Sequence, residues 1–301
     1  MWIGKPGKIN DRIYFLGALL NCMYLLRGKD AMIVGGGMSW LVPTLEKQFA
    51  QLEIETEKLK YLVIQHSHFD HCGAVPYLKR KFPQIKILAS AYSKEVFTRE
   101  KVIDFIAASN QRMIDKLALQ DESKRLNLEF DGITVDRVVK EADIIDLGDG
   151  IKAQLLEVPG HTKCSIAVYV PKLKAMFPTD AAPTPTDDGS ALSYPSPQYD
   201  FQLYLKSLKK LAIHDVEMCA FEHNGVIIGS EAKNILTQGL EKTEKFRKHV
   251  IQKHQEIRDL DRLAEVVLAE LTETEPLDFI SNDLRLDITK AVLQKILAYP
   301  G

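Results

Sequence analysis

The chain has 301 residues, 46% of them hydrophobic and 27% charged, with a formal net charge of -2 at pH 7. Those proportions belong to an ordinary globular protein with a sizeable core, long enough for one large domain or two smaller ones. A near-neutral balance excludes an overall field that would draw in nucleic acid.

Basic residues do gather at Lys79-Arg80-Lys81 and between Lys242 and Lys253, but the second cluster is interleaved with glutamates, so both read as solvated helix faces. The four cysteines, Cys22, Cys72, Cys164 and Cys219, are too scattered for a disulfide framework or a zinc knuckle. A reducing, cytoplasmic setting is the expectation.

Near the start, an apolar run from Phe15 to Leu26 follows Lys5, Lys8 and Arg12. It is interrupted by Asn21 and has no small-residue cleavage site, so it is not read as a signal peptide. It also falls short of the roughly 20 apolar residues of a membrane span, and no membrane association is expected. The pattern predicts strands at 13–16, 22–26 and 31–34, a meander turning at Gly28-Lys29-Asp30. Gly35-Gly36-Gly37 follows without the Lys-Ser/Thr of a phosphate loop, which makes it a tight backbone passage. A helix over 39–52 carries Pro43 in its first turn.

A buried strand at 61–64 then runs into His66-Ser67-His68-Phe69-Asp70-His71-Cys72-Gly73. Strand alternation would place His66 and His68 on one side of an extended backbone, within reach of one cation. A turn after them would swing Asp70 and His71 toward a second. Histidine beside carboxylate is the donor set that divalent ions of intermediate hardness select. Further on, the pattern predicts a helix from Ala74, a strand at 85–89, a long helical insert over 93–127 that could wall a pocket, and strands at 134–139, 151–158, 165–170 and 175–177. Residues 181–198, with Pro183, Pro185, Pro195 and Pro197, read as an ordinary surface loop, although Tyr194 or Tyr199 within reach of it is a candidate substrate contact. A helix at 199–213 and a strand at 217–220 come next. Beyond Gly225 the pattern is purely helical, with apolar stripes over 232–250, 260–271 and 284–296 and Pro276 between the last two.

Three later segments end strands in metal-capable side chains: Pro159-Gly160-His161-Thr162, Pro178-Thr179-Asp180, and Glu222-His223-Asn224-Gly225. Strand ends are where α/β architectures build sites. His214, His249 and His254 lie outside these segments and are given no role.

In order and spacing, these motifs resemble the two-metal hydrolases of the metallo-β-lactamase superfamily over residues 13–225. The resemblance implies an α/β fold, an αββα sandwich, with an added all-helical C-terminal segment: a catalytic domain at 1–229 and a helical extension at 230–301, for which a cover over the site and simple packing against the domain flank are both open. It implies that His66, His68 and His161 hold one divalent ion, that Asp70, His71 and His223 hold the other, and that Asp180 bridges them. Zinc and iron are the expected ions, with manganese admissible. A water shared by two such ions, about 3.5–4 Å apart, has its pKa lowered toward about 7. The resulting hydroxide would attack a carbonyl, and Asp70 or Asp180 would take a proton as the intermediate collapses. Cys72 would be superfluous to a ligand set already full.

Two departures stand out. Many members carry Asp-Thr-Gly where this chain has Gly35-Gly36-Gly37 after Val34, which removes a carboxylate that normally supports the ligands. The last histidine sits in Glu-His-Asn-Gly, not Gly-His-Gly. The block from His71 to Leu78, the glycine run and the helical tail with Asp278-Phe279 are similar to the quinolone signal response thioesterases within the family. That similarity implies hydrolysis of an acyl-coenzyme-A-like thioester or related ester, and iron as the metal. Lactone or phosphoester hydrolysis is the alternative, or a non-catalytic binding protein acting through its helical tail. The partner expected is a small-molecule thioester or ester, with nucleic acid disfavoured and a homodimer left open.

Overall fold

The computed structural model describes residues 1–272 and 280–300; Asp278 and Phe279 lie outside them. The first half runs β1 (Trp2–Ile3), β2 (Gly7–Lys8), β3 (Ile13–Ala18), β4 (Asn21–Arg27), β5 (Ala31–Val34), α1 (Val42–Gln51), β6 (Leu59–Val63), α2 (Val75–Lys81), β7 (Lys86–Ser90), α3 (Ala91–Val96), α4 (Glu100–Lys116), α5 (Gln120–Leu126) and β8 (Arg137–Val139). The second runs β9 (Ile144–Asp146), β10 (Lys152–Glu157), β11 (Ile166–Val170), β12 (Ala175–Phe177), α6 (Phe201–Ala212), β13 (Met218–Ala220) and β14 (Val226–Ile228). The helices α7 (Ser230–Ile257), α8 (Leu260–Thr272) and α9 (Asn282–Leu297) follow.

Strands β2 to β8 form one seven-stranded sheet in sequence order, and the second sheet has the order β1-β14-β13-β12-β11-β10-β9. The first turns parallel from β5 onward because α1, α2 and then α3 to α5 supply the crossovers that parallel strands require. Strand β3 shows how the layers arise. Ile13 and Phe15 point to the second sheet, where they meet Leu155, Val168 and Phe177. Tyr14 and Leu16 point the other way, toward Leu45 of α1, Leu78 of α2 and Ile106 of α4. A strand buried on both faces must be apolar at consecutive positions, which is why the meander reads as an unbroken hydrophobic run. The second sheet is covered in the same way by Tyr204 and Leu208 of α6 and by Ala232, Ile235 and Leu236 of α7. The result is the αββα sandwich expected from the sequence, with α7 to α9 added to it.

Several expectations need correction. The insert over 93–127 is three helices, because Ala118 takes a left-handed φ of 52° and Leu119 N–H bonds back to Ile114 O, closing the end of α4. Beyond Gly225 the chain is not purely helical: β14 pairs with both β13 and β1 before α7 begins, a non-local pairing invisible to local periodicity. The strand expected at 134–139 is reduced to β8. Finally, β6 stops at Val63, so His66 and His68 lie on the loop beyond it and not on alternating pleats.

Candidate metal centre

The loop after β6 is held by buried amides, each of which satisfies backbone groups that the sheet has released. Gln65 Nε2 donates to the carbonyls of Ile166 and Phe177, at 3.1 and 2.9 Å, tying the loop to the second sheet. Asn21 Nδ2 donates to Asp70 O at 2.8 Å. Asn110 of α4 donates to Phe69 O at 3.3 Å and accepts from Ser39 N at 2.7 Å. The glycine run crosses the start of α2, where Gly73 and Ala74 donate to the carbonyls of Gly37 and Gly36. A side chain at Gly36 would run into Val75 and Cys72.

The other ligand candidates stand on loops that follow β10, β12 and β13. Thr179 adopts φ 52°, an unusual conformation for a β-branched residue, immediately before Asp180. Two bonds of its hydroxyl hold it there. Thr179 Oγ1 donates to Glu222 Oε2 at 2.7 Å and therefore accepts from His66 Nδ1 at 3.0 Å.

That orientation leaves His66 Nε2 facing inward, buried and without a hydrogen bond. His161 and His223 are fixed likewise: each Nδ1–H donates to a carbonyl, of Ser196 and Leu20 respectively, at 2.6 Å. A carbonyl can only accept, so the inward Nε2 of each carries a lone pair in the neutral ring. Yet His161 Nε2 lies 3.1 Å from His68 Nδ1, and His223 Nε2 lies 3.2 Å from His71 Nε2. Asp180 Oδ2 sits in their midst, 3.4 Å from both His71 Nε2 and His161 Nε2 and 3.6 Å from His66 Nε2. Asp70 Oδ2 lies 3.2 Å from His71 Nε2 and 3.5 Å from His223 Nε2.

Acceptors converging in this way, with their opposite edges tied to outer partners, are the arrangement a cation needs and a packed core avoids. The donor atoms of His66, His68 and His161 lie within 4.8 Å of one another, as do those of His66, His71 and Asp180 and those of Asp70, His71 and His223. All seven residues singled out in the sequence are thus brought together.

Electrostatics follow the same geometry. Burial pushes His161 down to about 4, and burial with the neighbouring His66 and His161 holds His68 well below the usual histidine range. For Asp70 and Asp180 burial opposes ionisation, but His71 and the other imidazoles outweigh it and hold both carboxyls well below their ordinary value. Conversely, His71 is raised well above its ordinary value, because Asp70, Glu222 and Asp180 overcome the effect of burial.

Glu222 is the residue that sequence reasoning passed over. It is only 1% exposed. Besides the Thr179 bond, its Oε2 lies 3.5 Å from His66 Nδ1, and its Oε1 approaches His71 Nδ1 at 3.1 Å, an electrostatic contact more than an aligned hydrogen bond. Burial works against its charge, yet His71 and His66 hold the carboxyl down to about 2. A Cβ at Gly35 would stand 3.1 Å from Glu222 Oε1. The carboxylate missing from the glycine run therefore enters from the opposite sheet, and the glycine leaves room for it. The signal available in the sequence was the pair of departures read together.

Cys72 is buried, and its thiol, raised by that burial, donates to His68 O at 3.2 Å. Residues 181–198 are not an ordinary surface loop. Ser196 anchors His161, and Tyr194, Pro195 and Gln198 line a cavity of about 310 Å³ whose floor holds His68, Asp70, His161, Asp180 and His223. Phe105 of α4, Phe246 of α7, Leu268 and Leu271 of α8, and Leu284, Ile288 and Val292 of α9 form its walls. Tyr199 is exposed and not among the lining residues.

The chain belongs to the metallo-beta-lactamase superfamily, whose family model matches residues 19–223. A metallo-beta-lactamase fold-containing protein, ST1585, of Sulfurisphaera tokodaii is 26% identical over 188 residues, 62% of this chain and 69% of that protein. Hydroxyacylglutathione hydrolase of Rhodopseudomonas palustris is 27% identical over 138 residues, 46% of this chain and 40% of its own length. Among solved structures, a metallo-beta-lactamase family protein of Thermus thermophilus superposes with a TM-score of 0.62 at 17% identity, covering 96% of this chain and 93% of that one. The fold is that of a superfamily generally made of metal-dependent hydrolases, and the His/Asp cluster is compatible with divalent metal. Among the described residues no helix is long and apolar enough to cross a membrane.

Proposed function

We propose that the chain is a dinuclear metal-dependent hydrolase of a small thioester or ester with an apolar acyl part. The observation that carries this reading is the set of inward-facing imidazole nitrogens and carboxylate oxygens at the floor of a predominantly apolar cavity. His66, His68 and His161 would hold one ion, Asp70, His71 and His223 the other, with Asp180 between them. Two divalent ions there would supply an acidified water at neutral pH and Lewis-acid polarisation of the scissile carbonyl. The chain's own part is to fix the imidazole tautomers through Thr179, Ser196 and Leu20, to exclude bulk water with the helical wall, and to take up a proton at Asp70 or Asp180. Helices α7 to α9 act as the cover of this site, over a catalytic unit of residues 1–229.

A thioester is favoured by two considerations. The wall suits an acyl chain, and a relative is named as a hydrolase of hydroxyacylglutathione. The helical tail and glycine run, similar to the quinolone signal response thioesterases, support the same reading with iron or zinc as the ion.

Elemental analysis of the purified protein, paired with thiol release from a panel of acyl-coenzyme A and aryl thioesters, tests the proposal. Two ions per chain and metal-dependent release are expected, with activity lost in His68→Ala and Asp180→Asn. Metal without thiol release would redirect the search to lactones and phosphoesters. Equal turnover by both variants and wild type in metal-free buffer would overturn the two-metal account.

A further inference from the structure

Arg285, in the first turns of α9, is the only lysine or arginine among the described residues that line the cavity. Its neighbours along the wall are Leu268, Leu271, Ile280, Leu284 and Ile288. The Nε atom is buried and makes no hydrogen bond, and among the described residues no carboxylate forms an ion pair with the guanidinium. The carboxylates of the floor, Asp70 and Asp180, are already surrounded by imidazoles. A guanidinium facing an apolar wall with no counter-ion among the described residues is costly to hold there, and that cost is offset when a ligand brings the anion.

We propose that Arg285 is the anion anchor of this cavity and that the substrate carries a carboxylate at the end remote from its scissile carbonyl, with an apolar segment between the two. The single cation argues for a singly charged group: a phosphate dianion would call for a second lysine or arginine, and none lines the wall among the described residues. The planar fork of arginine donors matches a carboxylate edge to edge. This inference rests on the hydrolase reading above and specifies its substrate class.

The test compares the hexanoyl and adipoyl thioesters of thiophenol, equal in chain length and differing in the terminal carboxylate, on metal-loaded wild type, Arg285→Gln and Arg285→Lys. Wild type should prefer the adipoyl compound through KM. Arg285→Gln should raise that KM about 10- to 100-fold, the loss of a charge-assisted hydrogen bond, and should raise the hexanoyl KM at least tenfold less. Arg285→Lys should recover part of the preference. Equal losses on both substrates, or a wild-type preference for hexanoyl, would overturn the proposal.

If neither thioester is hydrolysed, the thioester reading fails and calorimetric titration decides the anchor alone. Hexanoate binding that is lost in Arg285→Gln supports it, whereas unchanged binding, or tighter binding of hexyl phosphate, overturns it. Thermal melting of each variant is followed throughout. Lower stability with unaltered substrate preference would mean that the arginine serves the fold, and would also overturn the proposal.

Discussion

At Glu222 a buried carboxylate reaches the outer edges of two histidines that belong to different proposed ion sites. Removing its charge while keeping its shape isolates that role. Glu222→Gln should weaken metal retention by about 10- to 100-fold, the usual penalty for losing an outer partner of a ligand, measured by competition with a chromophoric chelator. An unchanged affinity would reduce Glu222 to a packing residue. The amide can still accept from Thr179, so the left-handed turn before Asp180 should survive and the fold should melt normally. Gly35 belongs to the same device, since a side chain there would crowd Glu222 Oε1. Neither residue was legible alone as part of a site: a glutamate before a histidine is unremarkable until folding aims it at two imidazoles.

The helices after β14 illustrate the next scale. Phe201 and Leu205 of α6 and Phe246 and Val250 of α7 share one buried cluster with Leu263 and Val267 of α8 and with Leu293 and Ile296 of α9. Their apolar stripes made all three C-terminal helices readable, because helical spacing is a local property of the chain. What the stripes could not say is that Leu284, Ile288 and Val292, on the stripe of α9 itself, line the cavity above the metal candidates, for that depends on how α9 packs. Leu293 is fully buried between the two uses, core on one side and cavity on the other. Leu293→Ala should cost about 2–5 kcal/mol in urea denaturation while the metal content stays unchanged. Loss of metal together with stability would show that α9 holds the ligand loops and does not merely cover them.

The molecule as a whole carries a charge arrangement that ties its stability to pH when metal is absent. His161 is depressed to about 4, so its contribution to stability is complete above the ordinary histidine value of 6.5 and is lost as the pH falls toward 4. His71 is raised, so its contribution is complete below 6.5 and is lost as the pH rises toward its higher folded value. From these two groups, the metal-free chain should be most stable near pH 6.5, and denaturation midpoints of chelator-treated protein across roughly pH 4–9 check it. A midpoint that climbs steadily to about pH 9 would show that His71 is not protonated in the folded chain. With His71 as a ligand, as proposed, metal binding would expel its proton, so uptake near neutral pH should acidify a weakly buffered solution.

The chain by itself determined which residues are candidates to hold a cation and on what kind of scaffold. The side chains at 66–71, 161, 180 and 223 announce themselves by type and spacing, and consecutive apolar positions announce strands covered on both faces. Tertiary structure decided what depends on residues far apart in the chain. It brought β1 to the edge of the second sheet, set a carboxylate from one sheet into the gap left by a glycine in the other, drew the 181–198 loop over His161, and turned Arg285 into the cavity. Local pattern records which face of an element is apolar; only packing settles what that face, and the polar groups beside it, will meet.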